Sequence, residues 1–214
     1  YVQVVDVMVV AIFEYHVIST SPVGSCILQT LRDLCQESEF TVFAAKFENP
    51  CPERIRFVRV PVPMRPLALL FLAYHLLAPL CYWIERLRNR VKFDLVVMVE
   101  SNLAFGDVSY AHFCHRAYLA CHWSQARTTG VRGMLRWIDH WLRALLEPWV
   151  YRRVRYIVVP SRGLERELES LYPFTKGKLV CIPNPVDSER LCSPGSFDRT
   201  LFRAKLGLTA DQLA

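Results

Sequence analysis

The chain has 214 residues, 52% of them hydrophobic and 21% charged, with a formal net charge of +6. That balance excludes disorder as a description of the whole and allows one sizeable α/β core plus a remnant of something further. The eight cysteines are scattered, several inside apolar runs such as Leu179-Val180-Cys181-Ile182, which argues against a disulfide framework and for a reducing compartment.

Residues 4–13 form a nearly unbroken β-branched run, the pattern of a strand buried on both faces of a parallel sheet. A loop from Ser19 to Ser25 follows, and from Cys26 the positions Ile27, Leu28, Leu31 and Leu34 have helical spacing. Strand, glycine-containing loop and helix open a βαβ unit. The rhythm continues without a sequence repeat: strands at 40–47 and 55–62, an apolar helix over 67–87, then strands at 93–100 and 108–113. A helix over 133–153 comes next, then a strand at 156–160, a helix at 164–171 and a last strand at 178–183. This alternation predicts a doubly wound α/β fold, with about seven strands in one parallel sheet and helices on both faces.

Two of the helices carry further information. In the 133–153 helix Met134, Trp137, Ile138, Trp141, Leu145 and Trp149 recur at helical intervals with arginines and acids between, which predicts a broad buried apolar face and a bend near Pro148. The stretch 67–84 is interrupted only by His75 and Pro79 and is followed by Arg86, Arg88, Arg90 and Lys92. It reads either as a plain core helix or as a helix docking on a membrane through residues 67–92, with the basic run on anionic lipid. A full span would break the connectivity of the sheet. After Val186 the run Cys192-Ser193-Pro194-Gly195-Ser196 signals a linker, and 197–207 starts a new helix. The sequence is therefore expected to be part of a longer one.

Several residues stand where chemistry is done. Gly24, with Ser25, opens a helix where backbone amides can approach an anion; an ordinary tight turn would look the same. His112 ends a predicted strand at the edge where open α/β sheets bind ligands, with His115 its competitor, although a histidine on an apolar strand also serves as a hydrogen-bonded core group. Glu100 and Asn102 end another strand and can hydrogen-bond a polyol or cap a loop. Arg162 can face a diphosphate or pair with a neighbouring acid. The set His112, Cys114, His115, Cys121 and His122 fits no common zinc spacing, and no metal is expected. The basic charge attracts lipid headgroups, nucleotide phosphates or nucleic acid alike, but no RNA-binding or zinc-finger motif is present, so nucleic acid is not an expected partner.

The passage Ile182-Pro183-Asn184-Pro185-Val186-Asp187, with Arg203-Ala204-Lys205-Leu206-Gly207-Leu208 shortly after, resembles the interdomain crossover of family 4 glycosyltransferases, with Pro185 where the family usually has glycine. The loop Pro22-Val23-Gly24-Ser25, the strand end Tyr110-Ala111-His112 and the run from Tyr156 to Arg162 fall where that family predicts them. The resemblance implies a Rossmann-like GT-B amino-terminal, acceptor-side domain over 1–190. Residues 191–214 would be the linker and the start of a truncated donor-binding domain.

It also implies a retaining hexosyltransferase whose donor is a nucleotide sugar and whose acceptor is a glycan or a lipid-linked molecule, with no cofactor. By the same resemblance His112 contacts the transferred sugar as the catalytic-site residue. Gly24, Ser25 and Arg162 face the donor phosphates, and Glu100, Asn102 and His115 face the acceptor. The family's paired glutamates lie in the second domain, so the chain alone is expected to be inactive. Its expected place is the cytoplasm, at the inner face of a membrane if 67–92 docks there. The rival readings are another GT-B nucleotide-sugar enzyme, such as an epimerase or an inverting transferase, and a noncatalytic membrane-associated interaction module.

Overall fold

The computed structural model describes residues 7–126, 129–186, 195 and 197–209. In chain order the strands are β1 (Met8–Phe13), β2 (His16–Val17), β3 (Ser38–Ala44), β4 (Lys46–Phe47), β5 (Ile55–Arg59), β6 (Leu95–Val99), β7 (Val108–Tyr110), β8 (Tyr156–Val159) and β9 (Leu179–Cys181). Seven of them form one sheet in the order β5-β3-β1-β6-β7-β8-β9, every pairing parallel, while β2 and β4 pair by themselves. The order reverses between β1 and β6, and such a switch point leaves a crevice at the carboxyl ends of the strands.

The strands are shorter than the apolar runs that announce them, for local reasons. Pro61 and Pro63 cannot donate to a ladder, and β5 ends at Arg59. The run 40–47 divides at Ala45, whose N–H turns to the Tyr15 carbonyl at 2.9 Å. The first helix, α1 (Pro22–Leu34), begins a turn earlier than Cys26. Ser21 caps it by accepting the Gly24 N–H at 3.2 Å, and Pro22 occupies a first-turn position that needs no donor.

Two apolar cores lie on opposite faces of the sheet. On one, α1 packs Ile27, Leu28 and Leu31 against Val10, Ile12 and Val42. This single helix covers only part of the face, and an apolar groove of about 520 Å³ remains beside Val97, Val108, Tyr110 and Ile182. The other face carries α2 (Leu67–Asn89), then a continuous helical run made of α3 (His115–Ala117), a π-helical turn (Tyr118–His122) and α4 (Trp123–Ala126), then α5 (Gly130–Arg153) and α6 (Arg162–Leu171). Its core centres on Phe13 and Phe43, stacked at 4.5 Å between ring centroids, with Tyr74, Tyr82, Met98 and Tyr151. The last described helix is α7 (Arg199–Lys205), capped by Asp198; the linker signal at 192–196 lies, apart from Gly195, outside the described residues.

Helix α5 corrects the sequence reading. Its buried residues include Asp139, Arg143 and Glu147, whereas Met134, Trp137, Trp141, Leu145 and Trp149 are exposed. The polar side faces the sheet because a set of polar groups at the ends of β1 and β6 awaits it there, and no described element covers the apolar side. The helix also runs unbroken through Pro148 to Arg153. The run from His115 to Ala126 is a helix that apolar periodicity did not announce, since few of its residues are buried.

Candidate active site at the carboxyl edge of the sheet

Because every strand of the main sheet runs the same way, the residues that follow β1, β6, β7 and β9 emerge on one edge. Glu14 follows β1, Glu100 and Asn102 follow β6, His112 follows β7, and Ile182 to Val186 follow β9. Helix α5 starts at this same edge and lays its polar side across it.

His112 Nε2 lies 3.0 Å from Asn184 Oδ1, and the Tyr110 hydroxyl donates to the same oxygen at 2.8 Å. An amide oxygen only accepts, so Nε2 carries the proton in this contact. Burial holds His112 below the ordinary histidine pKa, although the Asn184 bond and the Glu100 charge pull the other way. The result is a neutral imidazole locked in one tautomer.

Glu100 adopts a left-handed backbone, φ 49°, uncommon for a residue with a side chain. Its N–H donates to the Tyr110 carbonyl at 3.0 Å, and the Ser109 hydroxyl donates to its carbonyl at 2.7 Å. Its carboxylate meets His115 Nε2 at 3.1 Å and Arg143 Nη1 at 3.7 Å. Burial alone would raise the Glu100 pKa, but the His115 hydrogen bond and the His115 and Arg143 charges outweigh it and hold the group below its ordinary value. Glu100 is the ionised carboxylate of the site.

Glu14 is its opposite. It is buried, it accepts from Asn102 Nδ2 at 3.0 Å, and burial with the repulsion of Glu100 lifts its pKa to about 8. Two carboxyls thus sit in one site, one charged and one neutral, as environment rather than chemistry dictates. Arg143 joins them, with Nη1 donating to Asn102 Oδ1 at 3.2 Å and Nε to Asp139 Oδ1 at 3.2 Å. Its guanidinium lies 4.7 Å over the Phe71 ring and 5.4 Å over Tyr15.

His115 continues the network. Its Nδ1 lies 2.8 Å from His140 Nδ1, and His140 is held down at about 4 by burial and by the neighbouring His115. The His115 backbone N–H donates to Glu147 Oε1 at 2.6 Å; the other Glu147 oxygen accepts from Arg116 N–H at 3.3 Å and from the Tyr172 hydroxyl at 2.7 Å. Glu147 therefore does from α5 what Cys114 cannot do as the cap of α3, satisfying the helix's first amides.

Of the residues singled out in the sequence, Glu100, Asn102, His112 and His115 come together here. Gly24 and Ser25 lie on the same edge at the start of α1, but their amides are engaged by Ser21, Gly24 with its Oγ and Ser25 with its carbonyl at 2.9 Å. A Cβ on Gly24 would stand 1.9 Å from the His16 carbonyl oxygen, so packing alone demands glycine there. Arg162 is exposed at the start of α6 and pairs with Glu165 at 2.7 Å. Glu14, Asp139, His140, Arg143 and Glu147 escaped sequence reasoning. The available signal was the four-residue spacing of Asp139, Arg143 and Glu147, which puts three charges on one line of a helix. Among the described residues no group of three His, Cys, Asp or Glu side chains is arranged to hold a metal ion.

An open, mostly buried parallel sheet with a polar crevice at its switch point defines a Rossmann-like α/β domain of the kind found in GT-B glycosyltransferases. The Glycosyltransferase Family 4 model matches residues 23–190, and the chain belongs to that family. The fold is similar to that of WaaG, a glycosyltransferase involved in lipopolysaccharide biosynthesis, at 16% identity and a TM-score of 0.63, covering 95% of this chain and 52% of that one. It is also similar to UGT71G1 of Medicago truncatula, solved with UDP-glucose, at 12% identity and a TM-score of 0.53, covering 95% of this chain and 57% of that one. The chain thus spans about half the length of these structures, and the likeness is one of fold. No curated protein sequence matches it.

Proposed function

We propose that this chain is the acceptor-side half of a retaining glycosyltransferase that moves a hexosyl group from a nucleotide sugar to a glycan or lipid-linked acceptor. In this reading residues 1–190 form the acceptor-side domain and residues 191–214 lead into a donor-binding half. The observation that carries the reading is the junction of His112 with Asn184, set 3.0 Å apart beside Glu100 at the carboxyl edge. That junction puts a neutral imidazole and an ionised carboxylate where the chain leaves its sheet.

The chemistry asked of such a site is positioning and electrostatics. His112 supplies a directional hydrogen bond to the sugar being transferred. Glu100, kept ionised by His115 and Arg143, accepts a hydrogen bond from the acceptor hydroxyl and orients it, with Asn102 and His115 facing the acceptor beside it. His115 also holds the Glu100 carboxylate, while Asn102 bridges Glu14 and Arg143. The helix start at Gly24 and Ser25, with Arg162, supplies the positive end of the field that favours a diphosphate. The UDP-glucose bound by the Medicago structure supports a nucleotide sugar as donor. No metal or cofactor enters the scheme, and the cytoplasm is its setting.

The test is transfer from a panel of nucleotide sugars to saccharide and lipid-linked acceptors. The 214 residues alone are expected to give none. A polypeptide carrying them together with the donor-binding half is expected to give transfer that His112→Ala lowers by about a hundredfold or more. Transfer by the isolated chain, or full activity in His112→Ala, would overturn the assignment.

A further inference from the structure

Helices α2 and α5 lie on the same face of the sheet, and both turn apolar side chains outward. On α2 the outward line is Leu69, Leu72, Leu76, Leu80, Trp83 and Leu87, with Leu76 75% and Leu87 76% exposed. Eighteen residues separate its ends, roughly 27 Å of helix without one polar side chain on that line. On α5 the outward line is Met134, Trp137, Trp141, Leu145 and Trp149, with Trp137 stacked on Trp141 at 6.0 Å. This second line borders a groove of about 510 Å³ against Leu119 and Ala120, edged by Arg116. Soluble surfaces rarely leave so much contiguous apolar area uncovered.

The charges say what covers it. The acidic residues of the two helices are Glu85, Asp139 and Glu147, and all three are buried. The charges that the two helices expose are all cations, Arg88 on α2 beside the half-buried Arg86, and Arg132, Arg136, Arg152 and Arg153 on α5; Arg90 and Lys92 follow α2, with Asp94 the exposed acid just after them. Two of them stack on the tryptophans that flank the apolar lines, Arg86 5.2 Å over Trp83 and Arg153 3.6 Å over Trp149. A second copy of this face would bring the same cations and no exposed acid from either helix to meet them. An anionic lipid surface meets all the features at once, with leucines entering the acyl region, tryptophans at the boundary and arginines on the headgroups.

Helix α2 is long and apolar enough to cross a membrane, yet its other side packs Phe71, Tyr74 and Tyr82 into the core. It cannot leave the sheet without emptying that core. We infer that the outward faces of α2 and α5 together form a docking surface by which the folded chain lies on an anionic bilayer. The inference goes beyond the transferase reading, since it needs neither donor nor acceptor.

The test is flotation of the chain with vesicles of phosphatidylcholine containing roughly one third phosphatidylglycerol, against vesicles of phosphatidylcholine alone. The expected result is binding to the anionic vesicles at least about tenfold tighter than to the neutral ones, with a blue shift of tryptophan fluorescence. The pairs Leu76→Glu with Leu80→Glu, and Trp141→Glu with Leu145→Glu, change exposed positions only. Each is expected to weaken binding about tenfold or more while leaving the circular dichroism and the thermal midpoint unchanged. Wild-type chain that fails to float, or variants that stay folded and float as well as wild type, would overturn the inference. So would a lipid-independent dimer, seen by light scattering, that both pairs dissociate. Loss of flotation leaves transfer to a soluble acceptor untouched, so the two readings fail separately.

Discussion

His112 and Asn184 meet at 3.0 Å although 72 residues separate them, so the segment leaving the last strand is tied to the histidine at the middle of the sheet edge. The same amide oxygen takes the Tyr110 hydroxyl, and the three side chains form one unit.

Asn184→Ala is expected to lower the His112 pKa further, because the lost hydrogen bond is one of the influences holding it up against burial. A proton NMR titration of the histidine ring reads this directly. The stability cost should be small, about 1 kcal/mol, since the freed groups regain water.

Arg143 is the one cation inside the network, held by Asp139 and Asn102 and close to Glu100. Arg143→Met leaves buried carboxylates without compensation and is expected to cost about 3–5 kcal/mol in urea unfolding. Adding Asp139→Leu should recover a good part of that loss, because removing both partners of a buried pair is far cheaper than removing one. If the single and double variants were equally unstable, the pair would not be the reason.

Gly24→Ala places a methyl group where the His16 carbonyl already stands, and a backbone oxygen cannot swing away as a flexible side chain could. A loss of about 1–3 kcal/mol in thermal unfolding is expected. Ser25→Ala, at a half-buried position whose hydroxyl bonds only the Pro22 carbonyl, should melt like wild type. Equal midpoints for both variants would count against the close approach.

Stability should depend on pH through two groups of opposite sense. Folded Glu14 keeps its proton up to about 8, whereas an unfolded glutamate releases it near 4.5, so the native state holds the extra proton between those values and loses stability as pH rises through them. Folded His140 stays neutral down to about 4 while an unfolded histidine takes a proton near 6.5, so stability is lost as pH falls through that window. Below 6.5 the slopes of these two groups oppose each other; above it, of the two, only that of Glu14 remains, with buried Glu147 shifted in the same sense. Urea midpoints should therefore decline from 6.5 toward 8, and Glu14→Gln should flatten most of the decline and stabilise the protein near neutrality by roughly 3 kcal/mol. A decline unchanged in that variant would assign it to another group.

The sheet could be read in the sequence because its strands are buried on both sides: unbroken runs such as Val9 to Phe13 admit little else, and the alternation with helices dictates parallel order. The site was only half legible. Glu100, Asn102, His112 and His115 stand at strand ends, where position alone draws notice. Arg143, Asp139 and Glu147 sit in a helix whose apolar pattern points the other way, so periodicity assigned them to solvent. A hydrophobic stripe marks a preferred medium, and it was the core only by default. Gly24 shows the converse, a residue whose type is forced by a neighbouring carbonyl that no local sequence reveals.

Helices α2 and α5 run antiparallel to the strands between them, as right-handed crossovers of a parallel sheet require. A surface that receives both helices lengthwise must then lie alongside the strands, and the edge bearing His112 opens sideways along that surface. A molecule confined to the plane would reach the crevice by lateral diffusion, without having to rise into the bulk.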